Sequence, residues 1–118
     1  MKRGDELKQR TKHFALRIIK LVGALPKTDI GRTIRNQIIR CGTSVAANYR
    51  AACRARSIAE FIAKIGLVIE EADETAFWLE LIIESGLMKK GLVDPLLQET
   101  NEILAIMISS SKSAQHKN

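Results

Sequence analysis

With 118 residues, 46% of them hydrophobic, the chain is sized for one domain with a packed core, which excludes general disorder and a two-domain protein. Two prolines, seven glycines and 4% aromatics supply too few turn formers for a sandwich or barrel and point to helices. The net charge of +6 is unevenly spread: residues 1–56 hold fourteen Lys/Arg and three Asp/Glu, a net +11, and residues 57–118 hold five and ten, a net −5.

Four helices are predicted, in an all-α, antiparallel, up-down-up-down four-helix bundle spanning residues 1–118 as one domain. The first covers about residues 5–25, with Leu7, Phe14, Ile18, Leu21 and Leu25 at helical spacing and Pro26 ending it. The second covers residues 29–55, capped by Thr28 or Asp29. Its stripe is Ile34, Ile38, Cys41, Val45, Asn48 and Ala52, spaced as a heptad seam. Ser57 and Glu60 form a capping box that opens the third helix, residues 57–85. There Ile58, Ile62, Ile65, Ile69, Ala72, Ala76, Leu79 and Ile83 make the stripe, and Gly86 is the stop. Asp94 and Pro95 start the fourth helix, residues 94–110, with Val93, Leu96, Thr100, Ile103 and Met107 as its apolar positions. Residues 111–118 are expected to fray. Short links make sequential helices antiparallel neighbours.

The charge split offers two uses. One surface can meet a polyanion, or basic and acidic helices can face each other within a chain or between copies. On a helical wheel Arg32, Arg50 and Arg54 fall opposite the apolar stripe of the second helix, Arg35 and Arg40 flank it, and Arg56 follows. Arginine at all of these positions suits bidentate contact with phosphate or carboxylate. Lys12, Arg17 and Lys20 of the first helix are possible helpers. Ile39 points into the arginine face and fits a subunit contact. The third helix is acidic at Glu60, Glu70, Glu71 and Glu74, away from its own stripe. Phe77, Trp78, Leu79, Leu81, Ile82 and Ile83 cover nearly its whole circumference. A surface helix of a small monomeric bundle should be apolar on one stripe, so Phe77, Trp78 and Ile82 are read as an oligomer interface. Asn48, Ser57, Glu60 and Glu74 are read as structural polar residues, Asn48 as a seam amide that fixes register.

Catalytic signatures are absent from the sequence. His13 and His116 follow no Glu-x-x-His spacing, and there is no Cys-x-x-Cys, His-Glu-x-x-His or glycine-rich phosphate loop. Cys41 falls in an apolar seam, and Thr43 and Ser44 have no histidine base nearby in sequence. No enzyme activity, metal or cofactor is expected. If Cys41 and Cys53 share a helix they stand roughly 18 Å apart and form no disulfide with each other. The polar, charged start carries no apolar leader, and the densest apolar run, Phe77–Ile83, is interrupted by Glu80. A cytoplasmic protein without a membrane partner is expected.

The ordered set Gln37, Arg40, Thr43-Ser44-Val45, Asn48, Arg56-Ser57, Glu60-Phe61 and Glu74-Thr75, with Pro26 after the first helix, resembles the bacterial four-helix bundle family, also called the 23S rRNA intervening-sequence protein family. The resemblance runs over roughly residues 14–107. Two departures deepen the charge split. Tyr49-Arg50-Ala51-Ala52 replaces the family's usual Ile-Ala-Glu-Gly, and Glu70-Glu71 replaces a common Gly-Ser. The resemblance implies an antiparallel bundle that assembles as a ring-like homopentamer. A relative in the family, the accessory variability protein of diversity-generating retroelements, is a basic pentamer that binds a reverse transcriptase and nucleic acid. The expected function is therefore a non-enzymatic homo-oligomeric scaffold that contacts RNA or DNA, or a reverse transcriptase, through its basic face. The alternative is a protein–protein interaction module whose arginines pair subunits and serve no nucleic acid.

Overall fold

The computed structural model describes residues 3–117. Four helices follow one another: α1 (Arg3–Gly23), α2 (Asp29–Ala52), α3 (Ile58–Glu84) and α4 (Lys90–Lys117). They form an elongated bundle of 47 × 23 × 21 Å. Each helix packs on its sequence neighbour and α4 closes back on α1, while the diagonal pairs α1/α3 and α2/α4 keep their backbones farther apart. That is the up-down-up-down arrangement that short links impose. The α1–α4 seam is the thinnest of the four.

Local chemistry explains most helix ends. The Thr28 hydroxyl accepts from the Gly31 amide at 3.1 Å and caps α2. The Ser57 hydroxyl accepts from the Glu60 amide at 3.0 Å and caps α3. The return half of the predicted capping box is not made, because the Glu60 carboxylate accepts from Arg56 at 3.3 Å instead. Gly86 sits at φ +76°, the left-handed turn that favours glycine. α2 ends at Ala52 rather than residue 55. There the Arg54 and Ala55 amides donate to Ala51 and Ala52 in tight i→i−3 bonds that leave the helical path.

The fourth helix departs most from expectation. It begins at Lys90, ahead of the Asp94–Pro95 pair, with Pro95 inside it. Proline this close to the first turn removes one main-chain bond and leaves the rest of the ladder intact. At the other end the helix continues through Lys117 instead of fraying after residue 110, because Ser111 and Ala114 turn inward and are buried. Asn118 lies outside the described residues.

The core is a single cluster fed by all four helices, with Phe14, Ile18, Ile38, Val45, Ile65, Leu79, Ile103 and Met107 almost wholly buried. On α2 the seam runs through Tyr49, and Asn48 is displaced to a half-buried flank, where its amide donates to the Ser44 carbonyl at 3.0 Å and hydroxyl at 2.7 Å. On α3 the buried face is Ile65, Val68, Ala72, Thr75, Ala76, Leu79 and Ile82. Ile58 is exposed, and Ile62, Ile69 and Ile83 are only half-buried. Three buried threonines need no partner helix for their hydroxyls. Thr11, Thr75 and Thr100 donate to the carbonyls of Leu7, Glu71 and Leu96 one turn back, at 2.7–2.9 Å.

Two contacts set how closely the helices pack. A Cβ at Gly42 would lie 2.8 and 2.9 Å from the Ile18 side chain, so α1 and α2 approach over a position that only glycine fits. Across the α1–α4 seam Arg10 grips Glu99 with Nε at 2.9 Å and Nη2 at 2.6 Å, and Nη2 also reaches Glu102 at 2.9 Å. These bonds hold the Glu99 carboxyl below the usual range for glutamate.

Gly42→Ala is expected to lower stability by about 1 kcal/mol, overpacking against Ile18 outweighing the better helix propensity of alanine. Gly66→Ala, with nothing within 4 Å of the new Cβ, should raise it by about 0.5–1 kcal/mol. Urea unfolding measures both. Glu99→Gln should cost about 1–2 kcal/mol at neutral pH, more than Glu102→Gln. The folded-state pKa of Glu99 is depressed, so its contribution is complete above the unfolded carboxylate pKa of about 4.3 and disappears as pH falls through the lower folded value. The gap between wild type and Glu99→Gln should close over that acid range in pH-dependent unfolding.

Candidate nucleic-acid interface

The basic residues divide by what they touch. Arg40 turns toward α3 and donates to Glu74 at 2.5 Å, to Glu71 at 3.4 Å and to Gln37 at 3.3 Å. The same Glu74 oxygen accepts from Trp78 Nε1 at 3.1 Å. Arg40, Glu74 and Trp78 thus form one chain of contacts across the α2–α3 seam. Glu74 thereby links the two helices and ties the tryptophan down. Arg32 pairs with Asp29 on its own helix, and Arg56 with Glu60. All of these pairs are solvent-accessible, worth about 0–1 kcal/mol each, so they orient side chains more than they hold the bundle.

Arg50 and Arg54 stand apart. Both are exposed near the C-terminal end of α2, and neither has a carboxylate within ion-pair distance among the described residues. Lys12 and Lys20 on α1 are likewise exposed, with no ion pair among the described residues. Arg35 and Arg17 are half-buried. The sequence-predicted row of arginines is therefore not one row. Arg40 serves the α2–α3 seam, Arg32 and Arg56 make local pairs, and Arg50 with Arg54 form the free basic end.

Of the predicted interface residues, Phe77 is 51% exposed and Trp78 is half-buried beneath it, the two rings meeting edge to face at 5.3 Å. Ile82 is wholly buried within the subunit, so it belongs to the core and not to a contact between copies. Ile39 is half-buried against the same core rather than standing out among the arginines. Leu81, part of the apolar stretch named with Phe77, is 36% exposed on the outer face of α3, and sequence reasoning missed Leu67, 42% exposed on that face, and Leu16 and Ile19, 57% and 48% exposed on α1. The signal was available: Ala63, Leu67, Glu70, Glu74, Phe77 and Leu81 repeat at alternating four- and three-residue spacing, a second seam on the side of α3 away from the core.

Cys41 is buried and Cys53 is exposed, both as free thiols. Burial pushes the Cys41 thiol above its ordinary pKa, and Thr75 Oγ1 lies 3.2 Å from its sulfur. Among the described residues no three His, Cys, Asp or Glu side chains gather as a metal site would require, and no helix is long and apolar enough to cross a membrane.

The pattern that defines the 23S rRNA-intervening sequence protein family matches residues 5–109. No curated protein matches the chain. Among solved structures, a protein of unknown function from the S23 ribosomal protein family of Bacteroides thetaiotaomicron VPI-5482 superposes with a TM-score of 0.86 at 33% identity, over 94% of this chain and 99% of that one. The chain belongs to the 23S rRNA-intervening sequence protein family.

Proposed function

We propose that this chain is a non-enzymatic, cytoplasmic scaffold that assembles as a ring of identical subunits, a pentamer as the family resemblance implies, and binds nucleic acid through Arg50 and Arg54. The observation that carries the reading is the sorting of the arginines. After carboxylates of α3 and α4 have taken Arg40 and Arg10, two exposed arginines without a carboxylate among the described residues, Arg50 and Arg54, stand one turn apart at the end of α2. Unpaired guanidiniums neutralise phosphates without losing an internal partner, and contacts of this kind are tolerant of sequence. A ring multiplies each weak contact through avidity. Arg56 and Arg32, in exposed local pairs, can exchange a carboxylate for a phosphate at little cost. The ligand is RNA or DNA, alone or carried in a ribonucleoprotein such as a reverse-transcriptase complex.

Two surfaces support the ring. Outward on α1 stand Leu16 and Ile19 between Lys12 and Lys20. Outward on α3 stand Leu67, Phe77 and Leu81 beside Glu70, Asp73 and Glu80. The two faces match in apolar character and oppose in charge, and they lie on the diagonal helices of the subunit. A contact between them joins unlike surfaces, and repetition of such a contact closes a ring. The pairing of Arg40 with Glu71 and Glu74 favours a second reading in one respect, since arginine–carboxylate contact can also serve assembly. In that reading the chain is a protein-interaction module and nucleic acid has no part.

Leu16→Glu and Phe77→Asp should each give a particle of the 13.1 kDa subunit mass by light scattering, and an equal mixture of the two should give a dimer, because each retains one intact surface. Assembly of Leu16→Glu alone would contradict the α1–α3 contact. Affinity for RNA should fall steeply with added salt, and the pair Arg50→Glu with Arg54→Glu should weaken binding at least tenfold at low salt while leaving the particle mass unchanged. A change in mass with nucleic acid indifferent would support the interaction module instead.

A further inference from the structure

At the end of the bundle where α1 and α3 begin and α2 and α4 finish, the core is under-filled. The inward positions of α4 run Val93, Leu96, Thr100, Ile103, Met107 and then fall to Ser111 and Ala114. At the same level α1 offers Gly4 and α2 offers Ala52. A cleft of about 800 Å³ opens there between all four helices. Its apolar floor includes Leu7, Tyr49, Ala52 and Phe61. Its α4 wall carries Ser109, Ser110 and Ser113, whose hydroxyls have no hydrogen-bond partner among the described residues. Lys8, Arg56 and Lys117 stand at its rim, where Lys8 engages Asp5 at 3.5 Å and Arg56 engages Glu60 at 3.3 Å.

The cleft adjoins the free basic end of α2. Cys53 and Ala55 line it, and Arg54 lies between them in sequence, one turn after Arg50. We infer that the cleft receives an unstacked nucleobase, so that the nucleic acid bound is single-stranded; this rests on the nucleic-acid reading above. An apolar floor with aromatic edges accepts the faces of any base, and the serine hydroxyls donate to or accept from a base edge. Arg50, Arg54 and Arg56 take the flanking phosphates. A paired duplex keeps its bases stacked inside the helix and offers the cleft nothing.

Cys53 gives the test a built-in reporter, since it is exposed on the cleft wall while Cys41 is buried. The rate at which a chromogenic disulfide modifies Cys53 in the intact protein is followed with a short single-stranded RNA, with the same sequence as duplex, with a strand of equal length lacking bases, and with inorganic polyphosphate. The inference expects the single strand to slow the reaction several-fold and the other three to leave it unchanged. Ser113→Trp, an exposed substitution that fills the cleft, should weaken single-strand affinity roughly tenfold and duplex affinity not at all. Equal protection by polyphosphate, or binding of single strand and duplex alike without protection, would overturn the base pocket and leave the phosphate-contact reading standing. Failure of every nucleic acid to bind at low salt would overturn both.

Discussion

Arginine–glutamate pairing across two helix seams governs what the rest of the molecule can offer. Arg10 reaches from α1 to Glu99 and Glu102 on α4, and Arg40 reaches from α2 to Glu71 and Glu74 on α3. The net +11 of the first half and the net −5 of the second are therefore partly consumed inside the subunit. The binding surface proposed for a polyanion rests on cations without such partners. Each pair is weak on its own, because it is partly hydrated. Their effect is to select which side chains remain free, at a modest contribution to stability.

Stability itself comes from the apolar cluster, and the cluster is shaped by where bulk is missing. Gly42 lets α1 and α2 close over Ile18. The decline from Met107 to Ser111 and Ala114 along α4 has the opposite result, since Gly4 of α1 and Ala52 of α2 leave room beside it and a cleft opens over Leu7 and Tyr49. Close contact at mid-bundle and under-filling at one end are two outcomes of the same rule, that interiors are packed by side-chain volume and not by helix position alone. The open end coincides with the end of α2 that carries Arg50 and Arg54, so the proposed binding surface and the cleft share one edge.

The fold was largely legible in the sequence. Four apolar periodicities, the Thr28 and Ser57 caps and the stops at Pro26 and Gly86 correspond to features of the bundle. What failed did so for identifiable reasons. Asp94-Pro95 has the look of a helix start, but Val93 is fully buried and the helix already runs through it. Ser109–Ser111 reads as a frayed end, because hydroxyls say nothing of a buried face, yet Ser111 packs inward. On α3 apolar residues nearly encircle the helix, so periodicity alone left the inward direction ambiguous. Ile82 falls inside and Phe77 outside, and only the packing of the other helices decides between them. The arginine face was legible as composition but not as chemistry. That Arg40 is engaged while Arg50 and Arg54 are free depends on which helix lies beside each, and neighbours are a property of the fold.

The central claim, that internal pairing sorts the arginines into structural and ligand-binding groups, is tested most directly by the salt dependence of RNA binding in Arg40→Gln and Arg54→Gln beside the wild type. The account predicts that Arg54→Gln lowers the slope of log affinity against log salt concentration by about 0.7, one phosphate contact on a single strand, and that Arg40→Gln leaves the slope unchanged. Equal slopes for wild type and Arg54→Gln, with a reduced slope for Arg40→Gln, would contradict it.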